Sequence, residues 1–356
     1  MEILNEALSD ITPQDASWRS LARERLDQLT MPHWALGRLM DLAVDLAGMT
    51  CSLRPATKRK AIVVMAADHG VVAEGVSKYP QEVTCQMVAN FVDRGAGINA
   101  LAGQAGADVR VVDMGVAGGM DDLARSEAIF SMPVAPGTAN IVHGPAMTRE
   151  QAVASVENGI EVLRRLIKDE GYDLLGVGDM GIGNTTPSSA IIAALSGQPV
   201  TATTGHGTGI DDEQMRHKIT VIEQALEVNQ PDPEDGLDVL AKLGGFEIGG
   251  IAGAILGAAA LRKPVIIDGL ISTAGALIAQ RLSPAATDYM IASHCSVEKG
   301  HRIALKRLGK EPLLDLNLRL GEGTGAALAM NLVEAAVRVL TEVKTFAEAQ
   351  VSEAIG

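Results

Sequence analysis

Four uninterrupted apolar runs of strand length recur along the chain, and each closes in a polar, glycine-bearing tip. Ala61 to Ala67 ends in Asp68-His69-Gly70, and Val109 to Val112 in Asp113-Met114-Gly115. Leu174 to Val177 ends in Gly178-Asp179, and Pro264 to Ile267 in Asp268-Gly269. Runs without polar alternation predict strands covered on both faces. Between them the apolar period lengthens to that of amphipathic helices. Trp18, Leu21, Ala22, Leu26 and Leu29 mark one helix, and a second spans residues 36–49. Thr148-x-x-Gln151 is a capping box for a helix running to about Lys168. Asp211-Asp212 opens a helix with Met215, Ile219, Ile222 and Leu226 on one face, and a last helix starts near Thr324. Buried strands separated by helices predict an α/β fold on a parallel, doubly wound sheet. Ligands in such sheets lie beyond the carboxyl ends of the strands. The tips Asp68, Asp113, Asp179 and Asp268 are therefore expected to converge on one crevice.

Residues 1–50 and 326–356, the two helical ends, are expected to pair as a small lobe beside a main domain of residues 51–325. One further helix, Gly245 to Leu261, carries Gly245, Gly249, Gly253 and Gly257 at four-residue intervals. That small-xxx-small pattern is familiar from membrane helices. Glu247 interrupts it, and Arg262-Lys263 ends it short of the ~20 residues that a bilayer needs. It is expected to be a buried helix approached closely by another backbone, across a subunit interface.

Composition narrows the function. A net charge of −14 argues against nucleic-acid binding, which needs a basic footprint. Cys51, Cys85 and Cys295 are isolated and odd in number, which points to reduced thiols and a cytoplasmic protein, and no metal-ligand spacing occurs. No cofactor or metal is expected, and the N-terminus has neither the basic nor the apolar part of a signal peptide.

Candidate chemistry gathers in the glycines. The stretch from Tyr172 to Pro187 holds Gly176, Gly178, Gly181 and Gly183 around one acid, Asp179, and then Asn184, Thr185, Thr186 and Pro187. Thr186 as N-cap and Pro187 at the first helical position predict a helix start there. A bare backbone leading into helix N–H groups is a phosphate cradle. The formal GxGxxG of residues 176–181 is not a dinucleotide fingerprint, because no helix follows directly and no acid stands in residues 196–200. Two more glycine turns lead into helices: residues 204–209, with Gly205 and Gly207, and residues 319–325, with Arg319, Gly321, Gly323 and Thr324. With Lys218 among the nearby cations, they predict an anion gripped from several sides; a Walker motif is absent. Glu322, glycine on both sides, is the carboxylate most open to a ligand. His69 and His294 are expected to be structural hydrogen-bonding residues.

Long motifs then carry a resemblance: GVGDMGIGNTTP, AADHGVVAEGVSKYPQEVT, SHCSVEKGHRIAL and EPLLDLNLRLGEGTGAALAM. With LGRLMDLAVDLAGM, NQPDPEDGLDVLAKLGGFEIGG and PVIIDGLISTAGAL, they span nearly the whole chain. The sequence resembles the nicotinate-nucleotide–dimethylbenzimidazole phosphoribosyltransferases. That resemblance implies a Rossmann-like sheet with a small lobe from both chain ends, a homodimer and no metal. It implies transfer of phosphoribose from nicotinate mononucleotide to 5,6-dimethylbenzimidazole, another benzimidazole or adenine, with inversion at the anomeric carbon. A non-catalytic nucleotide-binding protein is the rival reading. The glutamate of RLGEG, Glu322, is implied as general base, and Asp179 as a supporting acid where the family usually has glutamate. Gly181, Gly183, Asn184, Thr185, Gly205, Gly207, Lys218, Arg319, Gly321, Gly323 and Thr324 are implied to hold the phosphoribose. Asp68, Tyr79, Pro80, Gln86 and Met87 are implied to border the base. Tyr79 and Met87 stand where the best-known member has serine and glutamine, and Gln86 lies one place early.

Overall fold

A computed structural model describes residues 1–207 and 209–352. Thr208, in the second glycine turn, and residues 353–356, at the end of the C-terminal segment, lie outside the described residues. Six strands form one sheet: β1 (Lys60–Ala67), β2 (Ala107–Gly115), β3 (Phe130–Ser131), β4 (Leu174–Met180), β5 (Val265–Ile267) and β6 (Met290–Ala292). Their order is β3-β2-β1-β4-β5-β6, and every neighbouring pair is parallel. The order reverses between β1 and β4, and a ligand crevice is expected beyond their carboxyl ends. The uninterrupted apolar runs identify the central strands, since β1 is buried throughout. The sheet has two strands more than the four apolar runs predict. β3 and β6 have only two and three residues, too few for a periodic signal.

Helices cover both faces. Phe246–Ala260 lies on one, with Gly250 against Met65 and Met114. Thr324–Glu342 lies on the other, where Ala326 and Met330 pack over Gly176 beside Ile62. The latter helix is long and apolar enough to cross a membrane, but here its apolar side covers the sheet. The glycine stripe of Phe246–Ala260 meets another helix of the same chain, Arg149–Arg164, not a second subunit as the sequence suggested. A Cβ on Gly253 would come 1.9 Å from the Val156 carbonyl oxygen. Two helices in such intimate backbone contact need glycine at the crossing.

The chain ends meet. Leu29 and Thr345 form an antiparallel bridge; Thr30 N–H donates to the Lys344 carbonyl (3.0 Å) and Phe346 N–H to that of Gln28 (2.9 Å). Near the site, the helix predicted to begin at Pro187 is Thr185–Ser196, with Asn184 at the cap position and Pro187 third. Asn184 already has helical dihedrals, so the turn winds into the helix two residues early. Its amide, free of capping duty, reaches Asp179 instead.

Candidate active site

Three glycine turns converge at the carboxyl ends of β4 and β5. Gly178, inside β4, faces the peptide between Glu322 and Gly323, and a Cβ there would lie 2.3 Å from the Glu322 carbonyl carbon. Gly176 and Gly178 of the apparent fingerprint are thus strand residues that admit a helix and a turn. Gly321, Glu322 and Gly323 all have positive φ (82°, 62° and 90°), a left-handed run that costs a non-glycine residue energy only at Glu322. The turn delivers the Glu322 carboxylate to the first turn of the Gly97–Ala105 helix, where Oε2 accepts from the Ile98 N–H at 3.1 Å. Burial pushes Glu322 above the usual carboxylate range, and this hydrogen bond opposes the shift.

Around it stand other buried acids. Asp179 accepts from the Asn184 side-chain amide (2.9 Å), while its second oxygen has no hydrogen-bond partner and lies against Gly321. Burial first, then the Asp268 carboxylate, push Asp179 up to about 8. Asp268 accepts from Gly323 N–H (3.1 Å) and Ala326 N–H (3.0 Å), and burial pushes it up to about 7. His294 lies 3.6 Å from Asp268. Burial drops the imidazole to about 4, so it is a neutral neighbour at pH 7 and not an ion-pair partner. Two tips are tied to backbone amides, although the second oxygen of Asp68 is buried without a hydrogen-bond partner. Asp113, inside β2, accepts from the N–H groups of Gly115 and Val116 (2.9 Å each), and Asp68 accepts from Ala117 N–H (2.8 Å). Asp113 folds back onto the amides that follow it, whereas Asp68 binds an amide just beyond the end of β2.

The phosphate-type elements form a compact cleft lined by Gly181, Gly183, Asn184, Thr185, Gly207 and Lys218. The Lys218 ammonium, 1% exposed, donates to the Thr185 hydroxyl at 2.5 Å. Burial drops its pKa to about 8, opposed by Glu298. Gly205 backs onto the Glu298 carboxylate, and exposed Arg319 reaches towards Gly209. The Thr324 hydroxyl donates to the Gly321 carbonyl (2.8 Å) and so braces the turn. A helix N-terminus beside a desolvated ammonium suits an anion.

The expected base-side residues divide. Tyr79, Pro80 and Gln86 are at the surface, and Met87 packs partly on the core. The Val83–Val92 helix instead turns Thr84 and Cys85 inward: the Thr84 hydroxyl accepts from Ile182 N–H (3.1 Å), and Cys85 lies against Gly119.

Known proteins resemble this chain in sequence and in fold. A family model described as phosphoribosyltransferase matches residues 11–351. The nicotinate-nucleotide–dimethylbenzimidazole phosphoribosyltransferase of Syntrophotalea carbinolica is 64% identical over 353 residues, 99% of both chains. The chain belongs to the nicotinate-nucleotide–dimethylbenzimidazole phosphoribosyltransferase family. The phosphoribosyltransferase of that name from Geobacter sulfurreducens is 56% identical over 99% of each chain. Among solved structures, CobT from Thermus thermophilus superposes with a TM-score of 0.91 at 48% identity, covering 95% of this chain and 100% of that one.

Sequence reasoning missed one pair in this candidate site. His69 Nε2 and Glu247 Oε1 are 2.8 Å apart, both fully buried, between Gly181 and Gly245. The signal was there: a lone acid within an apolar helix has to find a partner. The Ile98 amide had no sequence signal at all.

Proposed function

We propose that this phosphoribosyltransferase moves the 5-phosphoribosyl group of nicotinate mononucleotide to a nitrogen of 5,6-dimethylbenzimidazole or a related base. The products would be α-ribazole 5′-phosphate and nicotinate, made in the assembly of the cobalamin lower ligand. The observation that carries the reading is Glu322. Its buried carboxylate is fixed through one oxygen to Ile98, and among the described residues the other oxygen takes no hydrogen bond.

The chemistry follows from charge. The departing ring is a cationic pyridinium, so it leaves without a general acid. Positive charge then grows on the ribosyl carbon, and the ionised Glu322 carboxylate favours it. The attacking ring becomes cationic unless its second N–H is removed, and Glu322 takes that proton. A carboxylate raised by burial is the stronger base once ionised. Asp179 supports it: neutral at pH 7 in the free site, it ionises when a cationic ring arrives. The Thr185–Ser196 helix start and Lys218 hold the phosphate, Arg319 and the turns at Gly205, Gly207 and Gly321 border the ribose, and Asp68 and the 79–87 segment face the base. Holding both rings on opposite sides of the sugar supplies much of the rate.

The segments 1–50 and 326–356 act in this reading as a small lobe on the main domain, in a cytoplasmic homodimer. The test is incubation with nicotinate mononucleotide and a panel of bases, with products weighed by mass spectrometry. A ribotide is expected with dimethylbenzimidazole, and failure with every base, adenine included, would sink the reading.

A further inference from the structure

The left-handed conformation of Glu322 needs an explanation. A non-glycine residue at positive φ is strained and persists only where its surroundings over-determine it. The helix that follows has Gly323 at its cap position, so no side chain of that residue can satisfy the first-turn N–H groups. Those groups are taken from outside the helix. Asp268, at the end of β5 and 1% exposed, receives Gly323 N–H on one oxygen and Ala326 N–H on the other. Gly325 leaves the space: a Cβ there would lie 2.8 Å from the Asp268 carboxylate and 2.0 Å from His294 Nδ1.

We propose that Asp268 is the positioning residue for Glu322: a carboxylate delivered from the neighbouring strand caps the helix in trans and locks the preceding acid into its left-handed turn. The inference rests on Glu322 being the proton acceptor. Both oxygens of Asp268 bind backbone N–H groups C-terminal to Glu322, whereas Ile98 binds the Glu322 side chain. The turn is therefore pinned at both ends, by Asp268 on the backbone of Gly323 and by Ile98 on the side chain of Glu322. Asparagine keeps the shape but presents an NH2 group where the second amide needs an acceptor, so one pin fails and Glu322 gains freedom.

A double-mutant cycle tests this in the full-length enzyme. Asp268→Asn is expected to lower kcat by roughly 10–100-fold, as a misplaced catalytic group does, with KM for nicotinate mononucleotide changed less than about threefold. Added to Glu322→Gln, the same change should cost less than about threefold more, because a residue acting through Glu322 has nothing left to position. Losses that multiply, or a KM that rises as much as kcat falls, would overturn the role of Asp268 while leaving Glu322 as base. A Glu322→Gln enzyme with undiminished kcat would remove the base itself, and this inference with it. Asp268→Glu, which keeps the charge but moves it one methylene, should repeat the kcat loss. If neither variant folds, Asp268 is a structural core residue and the proposal is wrong.

Discussion

Gly178 and Glu322 occupy adjoining space at the centre of the site: the α-carbon of one faces the carbonyl of the other, and only a hydrogen fits between. A methyl at Gly178 would sit 2.3–2.4 Å from Glu322 and Gly323 backbone atoms, which cannot swing aside as a side chain can. Gly178→Ala is therefore expected to destabilise by about 1–3 kcal/mol and to lower kcat by about 10²-fold through displacement of Glu322. Urea titration and steady-state kinetics on the same preparation read both. Normal kcat would show that the turn tolerates a shift.

Lys218 separates binding from stability. Its ammonium is buried and held at about 8, so removing it relieves a desolvation cost while stripping the anion site of its cation. Lys218→Met should raise KM for nicotinate mononucleotide by at least about tenfold, from loss of a charge-assisted contact, without lowering the melting temperature at pH 7. A variant that melts lower with KM unchanged would make Lys218 a structural residue.

The buried acids set a pH dependence. In the folded chain Asp179 and Asp268 hold protons up to about 8 and about 7, against about 4 when unfolded. The folded state binds more protons, so stability falls as pH rises through those values. His294 and His301, dropped to about 4 and about 3, act oppositely, and their gain is complete by about pH 6.5. Between pH 6.5 and 8 the acids dominate, and the unfolding free energy should decline by at most about 2 kcal/mol per group, with midpoints falling accordingly. Asp179→Asn should flatten that decline. A midpoint that rises across this window would contradict it.

Two glycines make a contrasting pair. A Cβ on Gly253 meets the backbone of Val156 at 1.9 Å, whereas one on Gly103, within the Gly97–Ala105 helix, meets nothing within 4 Å. Gly253→Ala should cost about 3 kcal/mol or more by forcing two helices apart. Gly103→Ala should stabilise by about 0.5–1 kcal/mol from helix propensity. Thermal melts of the two variants compare them directly.

Much of the site was written locally. Pattern alone located β1, β4, the capping box at Thr148, the helix start at Asp211, and glycine turns leading into helices, because each of these depends on residues a few positions apart. It also singled out Glu322, since a carboxylate between glycines advertises itself. β3 and β6 escaped because strands so short owe their pairing to neighbours already in place. The N-cap shifted from Thr186 to Asn184 for a similar reason: the local signal favoured threonine and proline, but the turn entering from β4 was already helical.

The amino-acid sequence by itself determined a parallel α/β sheet, the glycine turns at its carboxyl end and the carboxylate held between two of those glycines. Only the tertiary structure decided which acids keep company. Asp113 and Asp68 folded onto backbone amides, Asp179 and Asp268 were buried together, and Glu247 was matched to His69. Pairing across 178 residues, like the reach of Ile98 to Glu322, depends on helices and strands docking in three dimensions, and no short-range spacing encodes it.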